Sequence, residues 1–108
     1  MPFYRYTNLE RVGVATDGAP RPAIVGEQME LGFYRYPAGT RKPPHSHPEE
    51  QIIAVVKGKL AYRIGTEERV LGPGDAAHIP ANVDHENWSL DEEVEFFSCK
   101  NIVAKQRA

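Results

Sequence analysis

The chain holds a single cysteine, Cys99, among 108 residues. No intrachain disulfide can form and no site built on several thiolates is available, so any metal must be held by histidine, carboxylate or amide side chains. Long apolar runs are missing as well. Nothing approaches the length of a membrane-spanning helix, and the start, Met1-Pro2-Phe3-Tyr4-Arg5-Tyr6, lacks the apolar stretch of a secretion signal. Neither sign of charge dominates: 13 Lys and Arg stand against 15 Asp and Glu, and no acidic run exceeds Asp91-Glu92-Glu93. Nucleic acid and anionic membrane are therefore not expected as partners. A soluble cytoplasmic protein is the expectation.

A sustained apolar stripe of helical period is also absent. Instead, nine Gly and nine Pro punctuate short apolar stretches, which is an all-β pattern. Met29, Leu31 and Phe33 alternate with Glu30, Gly32 and Tyr34 and predict a strand over 28–36. The β-branched run from Gln51 to Val56, the turn Lys57-Gly58-Lys59 and the run from Leu60 to Ile64 predict a hairpin. Further strands are predicted over 68–71, 76–79, 85–90 and 94–102, separated by Gly72-Pro73-Gly74-Asp75, Pro80-Ala81-Asn82 and Asp91-Glu92-Glu93. That number of strands suits a closed or nearly closed barrel.

With 41% hydrophobic residues the chain suits one domain. The barrel is expected over 23–103, with an N-terminal arm and loop over 1–22 and a solvated tail over 104–108. The aromatic arm Phe3-Tyr4-Arg5-Tyr6 reads either as an edge strand of the same barrel or as a strand lent to a neighbouring subunit. A core of this size gains from burial at an interface, so a homodimer is expected.

The chemistry concentrates in four residues. His45 and His47 are one residue apart, and Pro43-Pro44 keeps the segment out of helix, so both imidazoles point to one face of extended chain. Two aligned imidazoles are half of a metal site. If extended pairing resumes after Pro48, Gln51 shares their face and Glu50 points away, which makes Gln51 the expected third ligand; a one-residue bulge near Pro48 would select Glu50 instead. His85 opens a later strand, and only a fold can bring it to the others.

Gly39, five residues, His45-Ser46-His47, three residues, Gln51, six residues and Gly58 together resemble the first cupin motif, with Gln51 where the family usually has Glu. Fifteen residues later, Gly74, five residues, Pro80, Asn82, two residues and His85 resemble the second. Asn82 stands for a turn Gly, and Asn tolerates left-handed backbone better than most residues; Ser89 stands where Asn is common. The resemblance runs from Gly39 to Ser89, about half of the chain. It implies an antiparallel, jelly-roll-like barrel of six to eight strands and a site of His45, His47, Gln51 and His85 near the open mouth. That site would hold one divalent transition ion, drawn from Fe, Ni, Zn, Mn, Co or Cu. Small cupins with Gln in the third place include polyketide cyclases and proteins acting on uronic-acid sugars.

Other polar residues carry weaker signals. His78 is expected to face solvent or a subunit boundary, Tyr62 to lie in the core or orient substrate, and Asn87 to support His85 or bind substrate. Arg35 is a candidate clamp for a substrate carboxylate. Trp88 is expected to be buried between sheets or at a dimer contact, and Cys99 to be inert filler. The expected function is a metal-dependent isomerase, cyclase or lyase acting on a small oxygenated metabolite such as a sugar acid or polyketide. A metal-dependent dioxygenase and a non-catalytic small-molecule-binding cupin are the alternatives.

Overall fold

The computed structural model describes residues 3–5 and 22–102; most of the predicted arm and the tail lie outside the described residues. Nine strands are present among them: β1 Ala23–Val25, β2 Met29–Tyr36, β3 Arg41–His45, β4 Gln51–Lys57, β5 Leu60–Ile64, β6 Glu67–Leu71, β7 Ala76–Ile79, β8 His85–Ser89 and β9 Val94–Asn101. The described residues include no helix, and so none long and apolar enough to cross a membrane. The strands form two antiparallel sheets, one ordered β1-β2-β9-β4-β7 and the other β3-β8-β5-β6. β1 and the separate standing of β3 were not predicted, because three residues of Ala-Ile-Val and a Pro-containing segment are weak strand signals. Two prolines are tolerable in β3 because it is an edge strand whose register is broken between Lys42 and His45.

The fold is all-β and jelly-roll-like, as expected; of the closed or nearly closed barrel that the strand count suits, it is not the closed one. The turn Gly72–Asp75 carries the chain from β6, the edge of one sheet, to β7, the edge of the other, and these edges do not pair. Between them opens a cleft of about 220 Å³, with Ile64, Leu71 and Ala77 on its walls.

Strand alternation puts Ile53 and Val55 of β4, Leu60 and Tyr62 of β5, Ile79 of β7 and Val94 and Phe96 of β9 into one core between the sheets. Burial of these side chains drives the sandwich together, each contributing about 1.5–3 kcal/mol relative to exposure. Tyr36 meets Phe96 edge-on, and Tyr34 stacks on Phe96 with centroids 5.0 Å apart. On the outer face of the second sheet, Glu86 joins Arg41 at 2.7 Å and Arg63 at 2.6 Å, and Arg63 continues to Asp84. The two guanidiniums hold the Glu86 carboxyl below its ordinary value, Arg63 more than Arg41. Trp88 lies on that outer face, half-buried under the Arg41 guanidinium at 4.6 Å from its ring centre, rather than between the sheets. The parity of β8 explains this, since His85, Asn87 and Ser89 take the inward positions.

Gly58 closes the β4–β5 hairpin with φ +78°, and a Cβ there would overlap the Glu93 carbonyl oxygen and press on the Val94 backbone. Gly39 is also left-handed, φ +73°, but a Cβ there meets nothing within 4 Å. Gly39→Ala should therefore cost only about 1 kcal/mol of backbone preference, whereas Gly58→Ala should cost at least about 2 kcal/mol. Thermal denaturation of the two variants checks this; equal losses would contradict the close approach at Gly58.

Candidate metal centre

Both ends of β3 and β8 are pinned, and the pinning sets the site. Gly39 and Thr40 hydrogen-bond across to Leu90 and Ser89, while at the other end His45 and His85 are direct cross-strand partners. His47 lies in the bend after β3. Its carbonyl accepts the Asn82 amide at 2.8 Å, and Asn82 turns with φ 64°, the left-handed geometry expected at that position. The bend carrying His47 is thus tied to the turn that launches His85.

The three imidazoles gather within one wall. Ring centroids of His45 and His85 are 4.3 Å apart, His47 and His85 4.8 Å, and His45 and His47 5.6 Å. Each ring is anchored by a backbone carbonyl two residues away: His45 Nδ1 to Pro43 O, His47 Nδ1 to Glu49 O and His85 Nδ1 to Val83 O, all at 2.9 Å. A carbonyl only accepts, so each Nδ1 must carry the proton and each Nε2 must present its lone pair. The candidate ligand atoms lie within 4.8 Å of one another. Three nitrogens at about 2.1 Å from one tetrahedral ion stand about 3.4 Å apart, so binding would draw the rings together by on the order of 1 Å.

Gln51 begins β4 and faces inward, its Nε2 donating to Ser98 Oγ at 2.7 Å. That bond uses the donor end of the amide and leaves Oε1 as its acceptor. Glu50 points outward instead, its carboxylate 2.6 Å from Nε2 of the exposed His78. The chain between His45 and Gln51 is bent rather than extended, so the parity count crosses a segment that is not strand.

These groups line a cavity of about 390 Å³ between the sheets. Tyr62 and Asn87 line it, the ring of Tyr62 stacking toward His85 with centroids 6.3 Å apart. Burial pushes the Tyr62 phenol above its ordinary value, partly opposed by its hydrogen bond with Asn87. Asn87 Oδ1 is buried without a hydrogen-bond partner. Arg35 is not at the cavity. Alternation on β2 turns Tyr34 and Tyr36 inward and sends Arg35 to the opposite face, where it meets Glu95 at 3.2 Å.

Three charged lining residues were not singled out from the sequence: Glu49, Lys42 and Lys100. Glu49 is buried, with a carboxylate oxygen 3.6 Å from His47 Nδ1. It lies in the bent segment between β3 and β4, where strand parity is no guide.

His85 is almost fully buried, and burial is the largest cause holding its pKa below the ordinary 6.5; the Val83 carbonyl opposes this, and the neighbouring His45 and His47 reinforce it. Below pH 6.5 the unfolded chain takes up the proton first, so the ion-free protein loses stability as pH falls toward the folded-state value. Nitrogen-15 NMR of the ion-free protein at neutral pH should show the Nδ1–H tautomer on His45, His47 and His85, with His85 protonating below its ordinary range. An Nε2–H tautomer on any of the three would contradict the geometry.

Comparison with known proteins agrees with this architecture. Residues 32–98 match the family model described as Cupin domain. An uncharacterised protein of Streptomyces coelicolor, SCO3923, is 29% identical over 94 residues, covering 87% of this chain and 90% of its own. Among solved structures, TT1209 from Thermus thermophilus superposes with a TM-score of 0.74 at 21% identity, over 94% of this chain and 97% of that one. KdgF from Halomonas sp. superposes with a TM-score of 0.72 at 22% identity, over 82% of each chain. The structural likenesses support the two-sheet fold, and the family match spans most of both sheets and reaches from β2 to β9; the chain belongs to the cupin family.

Proposed function

We propose that the protein is a metal-dependent enzyme of isomerase, cyclase or lyase type acting on a small oxygenated metabolite. The observation that carries this reading is the set of three imidazoles whose Nδ1 protons are all committed to carbonyls, leaving three Nε2 lone pairs grouped at one cavity wall. Catalytic metal centres are commonly built this way, with outer hydrogen bonds fixing ligand tautomer and orientation. His45, His47 and His85 would hold the ion, joined by Gln51 through Oε1, and this neutral nitrogen-rich set suits Fe, Ni, Zn, Mn, Co or Cu. When bound, the ion supplies Lewis acidity toward substrate oxygens, undiminished by any carboxylate ligand.

The protein's own groups do the rest. Tyr62, a phenol whose burial only strengthens its hold on the proton, and Asn87 present polar atoms that orient substrate beside the histidines. Tyr34, Tyr36 and Phe96 offer an apolar wall to its carbon skeleton. A volume of about 390 Å³ suits a small molecule. Two further expectations belong to the proposal. A homodimer is supported by exposed Met29, Ile52 and Val56 on the outer face of the five-stranded sheet, and a cytoplasmic location by the lone, unpaired Cys99.

Metal analysis by mass spectrometry of the tag-free protein tests the reading. Wild type should carry or take up close to one equivalent of a single transition ion. His47→Ala should lose at least about tenfold in metal affinity while keeping its β-sheet circular dichroism, because His47 is only half-buried. A wild-type chain that takes up none of the six ions, or a variant that binds as tightly as wild type, would contradict it.

A further inference from the structure

The cavity carries positive charge that three neutral imidazoles do not explain. Lys42 projects into it from β3, on the face of its cross-strand neighbour Asn87. Lys100 projects from β9, cross-strand from Gln51. The two lysines thus enter one cavity from opposite sheets. Arg35, Arg41 and Arg63 all rest on carboxylates, but among the described residues neither lysine has an ion-pair or hydrogen-bond partner. The carboxylate on the cavity wall, Glu49, lies beside His47. Glu30, cross-strand from Lys100, is buried and makes no ion pair with it.

Two lysines without ion-pair partners, lining one aromatic-walled cavity from opposite sheets, focus a positive potential into it. We infer that Lys42 and Lys100 form a subsite for a carboxylate of the ligand, separate from the end of the ligand that faces the histidines. This rests on the metal-centre reading above and deepens it, because it names the substrate class: a short-chain acid with a second oxygen function a few bonds from the carboxylate. Both lysines neighbour candidate ligands along or across the strands. Lys42 precedes His45 by three residues, and Lys100 is the direct neighbour of Gln51 across the sheet. Lysine suits the task because its compact charge and rotatable donors grip a carboxylate without demanding one planar orientation.

The test uses two acids that differ in this one feature. 2-Hydroxyglutarate and 2-hydroxyvalerate share a five-carbon 2-hydroxy acid skeleton, and only the first has a distal carboxylate. Each is titrated calorimetrically into Ni(II)-loaded wild type, into the Lys42→Gln and Lys100→Gln variants, and into the double variant. Wild type should bind the diacid at least about tenfold more tightly, a preference that should shrink in each single variant and fall below about twofold in the double variant at unchanged nickel content. Equal affinities in wild type, a preference that survives in the double variant, or binding of neither acid overturns the inference. If wild type takes up no ion, the proposed function falls. The same titration on the ion-free chain still decides the lysine subsite, since its charge does not depend on the metal.

Discussion

Three hydrogen bonds from imidazole Nδ1 to main-chain carbonyls are the constraint on which the site depends. Each gives a histidine one tautomer and one direction, and each ties that direction to backbone: Pro43 on the edge strand, Glu49 in the bend and Val83 in the turn before β8. The rings can converge only if those three backbone segments are themselves fixed in relation to one another. Pairing of His45 with His85 fixes the first and third, and the bond from the Asn82 amide to the His47 carbonyl fixes the second. The left-handed turn at Asn82 and the broken register of β3 are local irregularities that make this possible, consistent with bulges and turns serving to re-aim side chains.

Around that constraint the sandwich is polar at one end and apolar at the other. Along inward positions β4 runs from Gln51 to Ile53 and Val55, β9 runs back from Lys100 and Ser98 to Phe96 and Val94, and β5 runs from Leu60 to Tyr62. The apolar end supplies the burial that holds the sheets together, and the polar end carries groups whose burial is tolerable because they are bonded to each other: Gln51 to Ser98, Tyr62 to Asn87, His85 to Val83. The orphaned Asn87 Oδ1 is the exception, and it lies in a residue that lines the cavity. Buried polar groups with incomplete partners concentrate where a ligand is expected.

Much of this was legible from residue order. Period-two alternation and Gly/Pro punctuation place seven of the strands within one or two residues of their observed bounds, because β4, β5 and β9 turn apolar residues to the core and turn residues bound the others. The spacing of His45, His47 and His85 within the two motifs points to a cluster that the structure brings together. Sheet closure was not legible: it depends on whether β6 and β7 meet, a long-range matter that strand count does not report. Arg35 was misplaced because Tyr34 and Tyr36 set the inward face of β2, and of the two places expected for Trp88 the one between the sheets is taken by the residues that share the parity of His85 on β8. Lys42 and Lys100 went unnoticed because a lysine on a strand ordinarily reads as solvated surface, and only the facing sheet turns them into cavity wall.

In the proposed centre three imidazole Nε2 atoms share one ion. X-ray absorption spectroscopy of the metal-loaded protein measures this directly through the imidazole scattering around the absorbing atom. Three imidazoles at about 2.0–2.1 Å with the remaining positions filled by oxygen are the result the geometry requires. A shell of one imidazole or none, with oxygen in the other positions, would mean that the histidines gather for a different reason and that the metal-centre reading is wrong.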